Sequence, residues 1–136
     1  MVIIGAGPGG YEAASVAAAG GVEVTVVEET GIGGAAVLTD CVPSKTLIAT
    51  AEVTSTLRRA AELGLRHTET FEVDLDAVNF RVRQLAQAQS DDISRGLERK
   101  GVRLISGRAR LATGAPVTCI GLLSTTMRQS TPTLCC

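Results

Sequence analysis

A glycine pattern near the N-terminus constrains the fold of this chain more than any other feature. The apolar run Val2–Ile4 leads into GAGPGG, where Gly5, Gly7 and Gly10 have the spacing GxGxxG. An Ala-rich segment follows, and after two further glycines comes the β-branched stretch VEVTVVE, which ends at Glu28. A strand, a glycine turn, a helix and a second strand in this order predict a βαβ unit with a parallel pair of strands.

The same glycines predict a site for a pyrophosphate. Gly5 permits the tight turn, Gly7 lets the backbone come close to the ligand, and Gly10 lets helix and strand pack closely. The N-terminus of the helix offers free N–H groups and the positive end of its dipole. Glu28 is predicted to accept hydrogen bonds from ribose hydroxyls, the alternative being an exposed acid at a strand end. This pattern alone does not distinguish NAD from FAD.

A long helical insertion is predicted between the second and third strands. Residues 29–42 are predicted to form a Gly-rich loop, and a helix is predicted to begin at Pro43 or Ser44 and to end near Leu63. Asp74 is predicted to cap a second, longer helix that ends near Lys100. The apolar stripe of that helix is Leu75, Val78, Val82, Leu85, Ile93 and Leu97.

The third strand is predicted at Val102–Ile105, with residues 108–112 as a candidate continuation beyond Gly107. Beyond residue 115 the composition changes. The stretch VTCIGLLSTTMRQSTPTLCC contains no Asp or Glu and shows no sustained helical or strand periodicity. We therefore expect a partial dinucleotide-binding domain over residues 1–115. Residues 116–136 are expected to be a divergent tail, either disordered or produced by a shifted reading frame.

Composition excludes several classes of protein. The 136 residues suit one domain, the net charge is −1 and only 2% of the residues are aromatic, so a nucleic-acid binder is not expected. No apolar run approaches the roughly 20 residues of a membrane span, and the N-terminus has no basic region typical of a signal peptide, so a cytoplasmic protein is expected. The four cysteines show no CxxC spacing, and we predict neither a metal site nor a disulfide framework.

Three stretches together carry a family resemblance: VIIGAGPGGYEAA, then VVEE, then GIGGAAVLTDCVPSK. They resemble the N-terminal FAD-binding region of the pyridine nucleotide–disulfide oxidoreductases, which include dihydrolipoamide dehydrogenase and glutathione reductase. The resemblance covers roughly residues 2–114. It implies a Rossmann-like α/β fold with a parallel sheet, here incomplete. It also implies FAD as the cofactor, NAD(P)H as the substrate and a homodimer for full-length relatives.

The resemblance also assigns roles to the loop after Gly33 and Gly34, both of which it places at the cofactor. In relatives two cysteines in this loop form the redox disulfide beside the flavin. Here the second falls on Cys41, whereas the first falls on Ala36, so the disulfide cannot form. The threonine that helps to hold FAD phosphate in relatives falls on Ala35.

Cys41 and Lys45 are the catalytic candidates, and the resemblance brings both close to the flavin. The position of Cys41 just before a helix N-terminus would favour the thiolate. This thiolate either adjusts the electronic properties of the flavin or is a packed residue that no longer has a function. Lys45 matches the lysine near flavin N5, the alternative being a surface lysine. The Gly-Arg-Ala stretch that ends at Ala109 matches the segment whose backbone contacts adenine.

These features predict the N-terminal segment of an NAD(P)H-dependent flavoprotein oxidoreductase that passes electrons through FAD to a quinone-like small molecule. A branch of the family that lacks the cysteine pair is similar, and its members are quinone reductases. The chain by itself is expected to be inactive. Two alternatives remain open: a dihydrolipoamide dehydrogenase relative with a defective redox loop, and a nucleotide-binding module without catalysis.

Overall fold

The computed structural model describes residues 1–65, 72–111, 119–123 and 133–135. The strands are β1 Val2–Ile4, β2 Thr25–Glu28, β3 Arg103–Ser106, β4 Arg108–Leu111, β5 Cys119–Leu123 and β6 Thr133–Cys135. The helices are α1 Pro8–Ala19, α2 Gly34–Leu38, α3 Cys41–Arg58 and α4 Leu75–Arg99, with a 3-10 turn at Ala60–Leu63. The result is a mixed α/β fold, as predicted.

The strands β1, β2 and β3 form a parallel sheet in that order, which confirms the predicted βαβ unit. Ile3 lies opposite Val26, and Val26 lies opposite Leu104 on the other side. Val26 and Val27 in the central strand are buried, because β2 has a neighbour on both edges and helices pack against the sheet. A parallel strand covered in this way has continuous apolar character.

The core lies between the sheet and the two helices α1 and α4. Its buried members are Ala6, Ala14, Val24, Val26, Leu97 and Val102, with Ile3, Tyr11, Ile93 and Leu104 packed against them. Small alanines on the inner side of α1 let this helix approach the sheet closely. The core therefore fixes the N-terminal end of α1 relative to the ends of the strands.

The predicted Gly-rich loop at residues 29–42 is wrong in part, because it contains the five-residue helix α2. The next helix begins at Cys41 rather than at Pro43 or Ser44, and it ends at Arg58. A 3-10 turn then carries the chain to Gly64, whose φ of 76° suits a glycine stop. Pro43 thus lies in the first turn, where its missing N–H costs no hydrogen bond.

The predicted cap of α4 is confirmed, since Asp74 Oδ1 accepts the Ala77 N–H at 2.9 Å. The predicted stripe is only partly correct. Leu75 is 65% exposed and Leu85 41% exposed, whereas the unpredicted residues Ala86 and Ser90 are buried. The N-terminal part of this 25-residue helix lies beside α3, and Leu75 borders a cavity between the two helices rather than a filled core.

Strand β4 does not continue β3, which corrects the predicted continuation. Gly107, with φ at 156°, separates the two strands, and β4 pairs with β5 in an antiparallel sheet that β6 completes. Ala112, at the end of the predicted continuation, lies outside the described residues. Two described pieces of the predicted tail are thus strands, and its division from the rest at residue 115 stays a prediction.

Candidate functional site

The turn between β1 and α1 is set by glycines at two of its positions. Gly5 has φ at 94°, in the left-handed region that glycine tolerates, and its N–H donates to the Val27 carbonyl at 2.8 Å. A Cβ on Gly10 would lie 1.9 Å from the Gly5 carbonyl oxygen, so any side chain there would clash with the backbone. The predicted role of Gly10 in close packing of helix on strand is what this geometry requires.

Gly7 has no such structural requirement. Its φ and ψ are −67° and −178°, which any residue adopts, and a Cβ at this position would meet no atom within 4 Å. Gly7 is also the N-cap of α1, and no side chain caps the helix or places an acid in its first turn. The positive end of α1 therefore has open space on the side where a Gly7 side chain would project, which suits an anionic ligand.

The segment Gly31–Gly34 lies against this turn. The Gly33 N–H donates to the Ala6 carbonyl at 2.8 Å, and a Cβ on Gly34 would lie 3.0 Å from the Gly7 Cα. Gly33 and Gly34 both have positive φ, at 99° and 59°. The fold thus brings two predicted cofactor residues of the second loop next to the predicted pyrophosphate turn.

Glu28 ends β2 with its carboxylate held by hydrogen bonds. Oε2 accepts the Ala6 N–H at 2.7 Å, and Oε1 accepts both the N–H and the hydroxyl of Thr30 at 2.8 Å. Partial burial opposes ionisation, but these bonds together with the Glu29 N–H lower the pKa of Glu28 below its ordinary value. The side chain is therefore an oriented anion. Thr30 was not predicted as part of the site, although it directly follows the acidic pair Glu28 and Glu29.

A cleft of about 230 Å³ begins at Glu28 and joins three of the predicted residues. Its lining is Ile4, Gly5, Val27, Glu28, Glu29, Gly107, Arg108 and Ala109. The Gly107 N–H donates to the Glu28 carbonyl at 2.8 Å, which fixes the start of β4 beside the end of β2. At the rim, Arg108 Nε lies 3.7 Å from a carboxylate oxygen of Glu29.

Cys41 and Lys45 do not line this cleft. Both are exposed on α3, one helical turn apart and hence on the same face. Cys41 is a free thiol and the first residue of the helix, which corrects its predicted place just before the helix. Ala36 lies in α2 and is partly buried, while Ala35 is exposed near the start of α2.

Two larger cavities lie elsewhere, between α3 and α4, with volumes of about 300 and 410 Å³. Aliphatic side chains and threonines line them, together with Arg58 in one and Arg81 in the other. None of the predicted site residues contributes to either cavity. Of these three cavities, the smaller cleft at Glu28 is the one that predicted site residues line.

The glycine turn, the oriented acid and the cleft to Ala109 are the arrangement expected of a dinucleotide-binding segment. The sequence profile described as pyridine nucleotide-disulphide oxidoreductase matches residues 1–127. The chain belongs to this family. Use of a flavin and of NAD(P)H is a general property of the pyridine nucleotide–disulphide oxidoreductases.

Individual relatives agree with the family assignment. An NAD(P)H dehydrogenase (quinone) from Mycobacterium tuberculosis is 48% identical over 120 residues, which cover 85% of this chain and 24% of the relative. A dihydrolipoyl dehydrogenase from Chlamydia muridarum is 34% identical over 120 residues, which cover 88% of this chain and 26% of that protein. The chain thus spans about a quarter of the length of these relatives.

A solved structure has the same fold over nearly the whole chain. The crystal structure of LpdA from Mycobacterium tuberculosis superposes with a TM-score of 0.85 at 42% identity. The match covers 98% of this chain and 29% of LpdA. Within the segments that the structure describes, no helix is long and apolar enough to cross a membrane. The same segments contain no group of three His, Cys, Asp or Glu side chains arranged for a metal ion.

Proposed function

We propose that this chain is the N-terminal FAD-binding segment of an NAD(P)H-dependent oxidoreductase that passes electrons to a quinone-like acceptor. One observation carries the proposal: three features lie together at the carboxyl ends of β1 and β2. They are the open space over Gly7, the oriented Glu28 carboxylate and the cleft that extends to Ala109. These three features correspond to the pyrophosphate, the ribose and the adenine of one ligand.

The residues fit the adenosine end of FAD. The pyrophosphate would lie at the N-terminus of α1, over Gly7. The protein itself leaves room for a side chain at this position, so the glycine is explained by the ligand rather than by packing. Glu28 would accept hydrogen bonds from ribose hydroxyls, because an ionised carboxylate only accepts. The cleft of about 230 Å³ is smaller than the roughly 300–1,000 Å³ of a pocket that surrounds a whole drug-sized ligand, which suits one end of a dinucleotide.

Glu28 also argues against a phosphorylated ribose at this position. Its carboxylate is ionised and fixed by Ala6 and Thr30, so it cannot turn away from a ligand phosphate without losing those hydrogen bonds. Two anions at this distance repel each other. The site therefore favours the unphosphorylated ribose of FAD.

When bound, the flavin would supply the transfer of reducing equivalents from NAD(P)H to an acceptor. This chain's own residues would bind and orient it. Lys45 and Cys41 share one face of α3, and we propose that this face points to the flavin ring. Position 36 carries a methyl group in place of the thiol needed for exchange with a disulfide substrate. Direct transfer to a quinone needs no sulfur, and the Mycobacterium tuberculosis relative carries the name of a quinone dehydrogenase.

The chain alone is proposed to bind the adenosine end without catalysis. The matched region is about a quarter of the length of the relatives, and we infer that the parts that bind NAD(P)H and complete the flavin site belong to the other three quarters. We expect ADP, the part of FAD that this segment contacts, to bind the 136-residue chain. Free FAD should bind only slightly better.

Calorimetric titration of the chain with ADP and with FAD tests this function. Gly7→Val should abolish ADP binding, because its branched side chain would occupy the open space over the turn. Glu12→Gln, on the exposed side of α1, serves as the control and should bind like the parent. Equal affinity of the Gly7→Val and parent chains would reject the site. A tight stoichiometric FAD complex would instead favour the alternative of a self-sufficient nucleotide-binding module.

A protein that carries this N-terminus at full length tests the choice of acceptor. We expect reduction of quinones or dyes by NAD(P)H and no reduction of lipoamide. Lipoamide is the competing acceptor to test, because a dihydrolipoyl dehydrogenase is also a relative, at 34% identity. Steady-state lipoamide turnover comparable with quinone turnover would reject the quinone assignment in favour of that relative.

A further inference from the structure

A buried hydroxyl connects the long helix α4 to the glycine segment of the site. Ser90 is only 6% exposed, and it is the one polar side chain buried among the described residues. Its Oγ donates to the Ile32 carbonyl at 2.6 Å, across 58 residues of sequence. A hydroxyl buried without a partner costs free energy, so this bond accounts for the tolerance of a serine in the core.

The Ile32 carbonyl is the first link in a series of backbone contacts. The next residue, Gly33, donates to the Ala6 carbonyl, and the Ala6 N–H in turn donates to Glu28. Gly34 lies against the Gly7 Cα. The series therefore runs from α4 through the glycine segment to both the pyrophosphate turn and the ribose acid.

Glycines alone would hold this segment poorly. Gly31, Gly33 and Gly34 all have positive φ, and a glycine has no side chain to anchor the backbone. Backbone freedom of this kind must be lost when a ligand binds, which lowers affinity unless the segment is already fixed. The hydrogen bond from Ser90 supplies an anchor from a rigid 25-residue helix.

We propose that Ser90 is a positioning residue for the dinucleotide site. Its hydroxyl fixes the Ile32 carbonyl, so that Gly33 and Gly34 stay beside the pyrophosphate turn before any ligand arrives. Ser90 itself makes no contact with the ligand. This role rests on the proposed function for its effect on affinity, whereas its effect on the segment is a property of the ligand-free chain.

Two measurements on the 136-residue chain test the proposal. Amide hydrogen exchange of Gly33 in the ligand-free chain reports how firmly the segment is held, and calorimetry with ADP reports affinity. Ser90→Ala should raise the exchange rate and weaken ADP binding, each by about 2- to 10-fold, as expected for one lost hydrogen bond. Ser90→Thr keeps the hydroxyl and should restore both values.

Ser94→Ala is the matched control. Ser94 lies one turn along the same helix, and its hydroxyl donates to the Ser90 carbonyl at 2.9 Å within α4. Its removal should leave Gly33 exchange and ADP affinity unchanged. If circular dichroism shows that Ser90→Ala does not fold, Ser90→Cys replaces it, because a thiol of similar size is only a weak donor.

The outcomes separate the two proposals. A parent chain that binds no ADP rejects the proposed function, while Gly33 exchange still decides the role of Ser90. Equal Gly33 exchange in Ser90→Ala and Ser94→Ala overturns the positioning role. The positioning role is also overturned if Ser90→Ala raises the Gly33 exchange rate but binds ADP with the affinity of the parent chain.

Discussion

The Glu28 carboxylate accepts the Ala6 backbone N–H at 2.7 Å, and this bond joins the end of β2 to the turn that follows β1. The acid thus has a structural role in addition to its proposed role at the ribose. Thr30 holds the other carboxylate oxygen, so the side chain has little freedom to rotate. Substitutions at this position are expected to affect folding and binding together.

Stability should depend on acidic pH through Glu28. Its pKa is lower in the folded chain than the ordinary 4.5. The ionised form therefore stabilises the fold fully above the ordinary value, and this contribution is lost as the pH falls through the lowered pKa. Glu28→Gln should flatten this part of the profile, whereas Glu12→Gln should not. Thermal unfolding midpoints between about pH 3 and 6 measure the difference, and parallel profiles for all three chains would contradict the assignment.

Alanine substitutions at two positions of the glycine turn should differ in their effect on stability. Gly10→Ala places a Cβ 1.9 Å from a backbone oxygen and should destabilise the chain by about 3 kcal/mol or more. Gly7→Ala meets no atom within 4 Å and should change stability by less than about 1 kcal/mol while it weakens ADP binding. Urea unfolding and ADP calorimetry on both variants measure the contrast. Similar losses of stability would show that Gly7 is structural as well.

Removal of the thiol of Cys41 should leave most of the quinone activity of a full-length protein with this N-terminus. Direct transfer to a quinone needs no sulfur, so Cys41→Ser should lower turnover by less than about tenfold, or 1.4 kcal/mol. If Cys41 lies beside the flavin as proposed, its removal should still change the absorbance spectrum or the potential of the flavin. Steady-state assays and a spectrum of each variant measure both effects. Complete loss of turnover would mean that Cys41 takes part in the reaction.

Restoration of the missing cysteine should create a disulfide. Ala36→Cys is expected to pair with Cys41, provided that the two Cα atoms lie within about 7 Å of each other. Ala35→Cys, at the exposed neighbouring position, is the control and should remain a free thiol. Thiol titration before and after reduction, compared with the parent chain, counts the sulfurs in each state. An equal number of free thiols in both variants would show that the helices do not permit the bond.

The βαβ unit was predictable because its spacing is local. The unit is defined by three glycines, an alanine-rich helix and a β-branched strand that follow one another in sequence. At Gly10 any other residue would clash with the backbone of Gly5. Helix α2 was missed because five residues that begin with glycine carry no helical period. Thr30 and Ser90 were missed for another reason: the partner of a hydroxyl depends on tertiary packing.

The apolar pattern of α4 illustrates the same limit. Periodicity predicts which residues share a face, but it does not reveal which part of that face the rest of the fold covers. Leu75 therefore belongs to the predicted stripe and is nevertheless exposed, while Ala86 is buried against the rest of the fold. Leu75 borders a cavity between α3 and α4, so its exposure reflects the tertiary packing at that end of the helix.

The pairing of β2 with β3 has a consequence for the order of folding. Thr25 lies opposite Arg103, so the chain between them must close a long loop before this part of the sheet forms. Such closure costs entropy and slows folding, whereas β1, α1 and β2 meet through contacts close in sequence. The pyrophosphate turn and Glu28 should therefore form early, and the adenine side of the cleft should form only when β3 docks and delivers Gly107. The two ends of the proposed ligand site are thus expected to form in two kinetic stages.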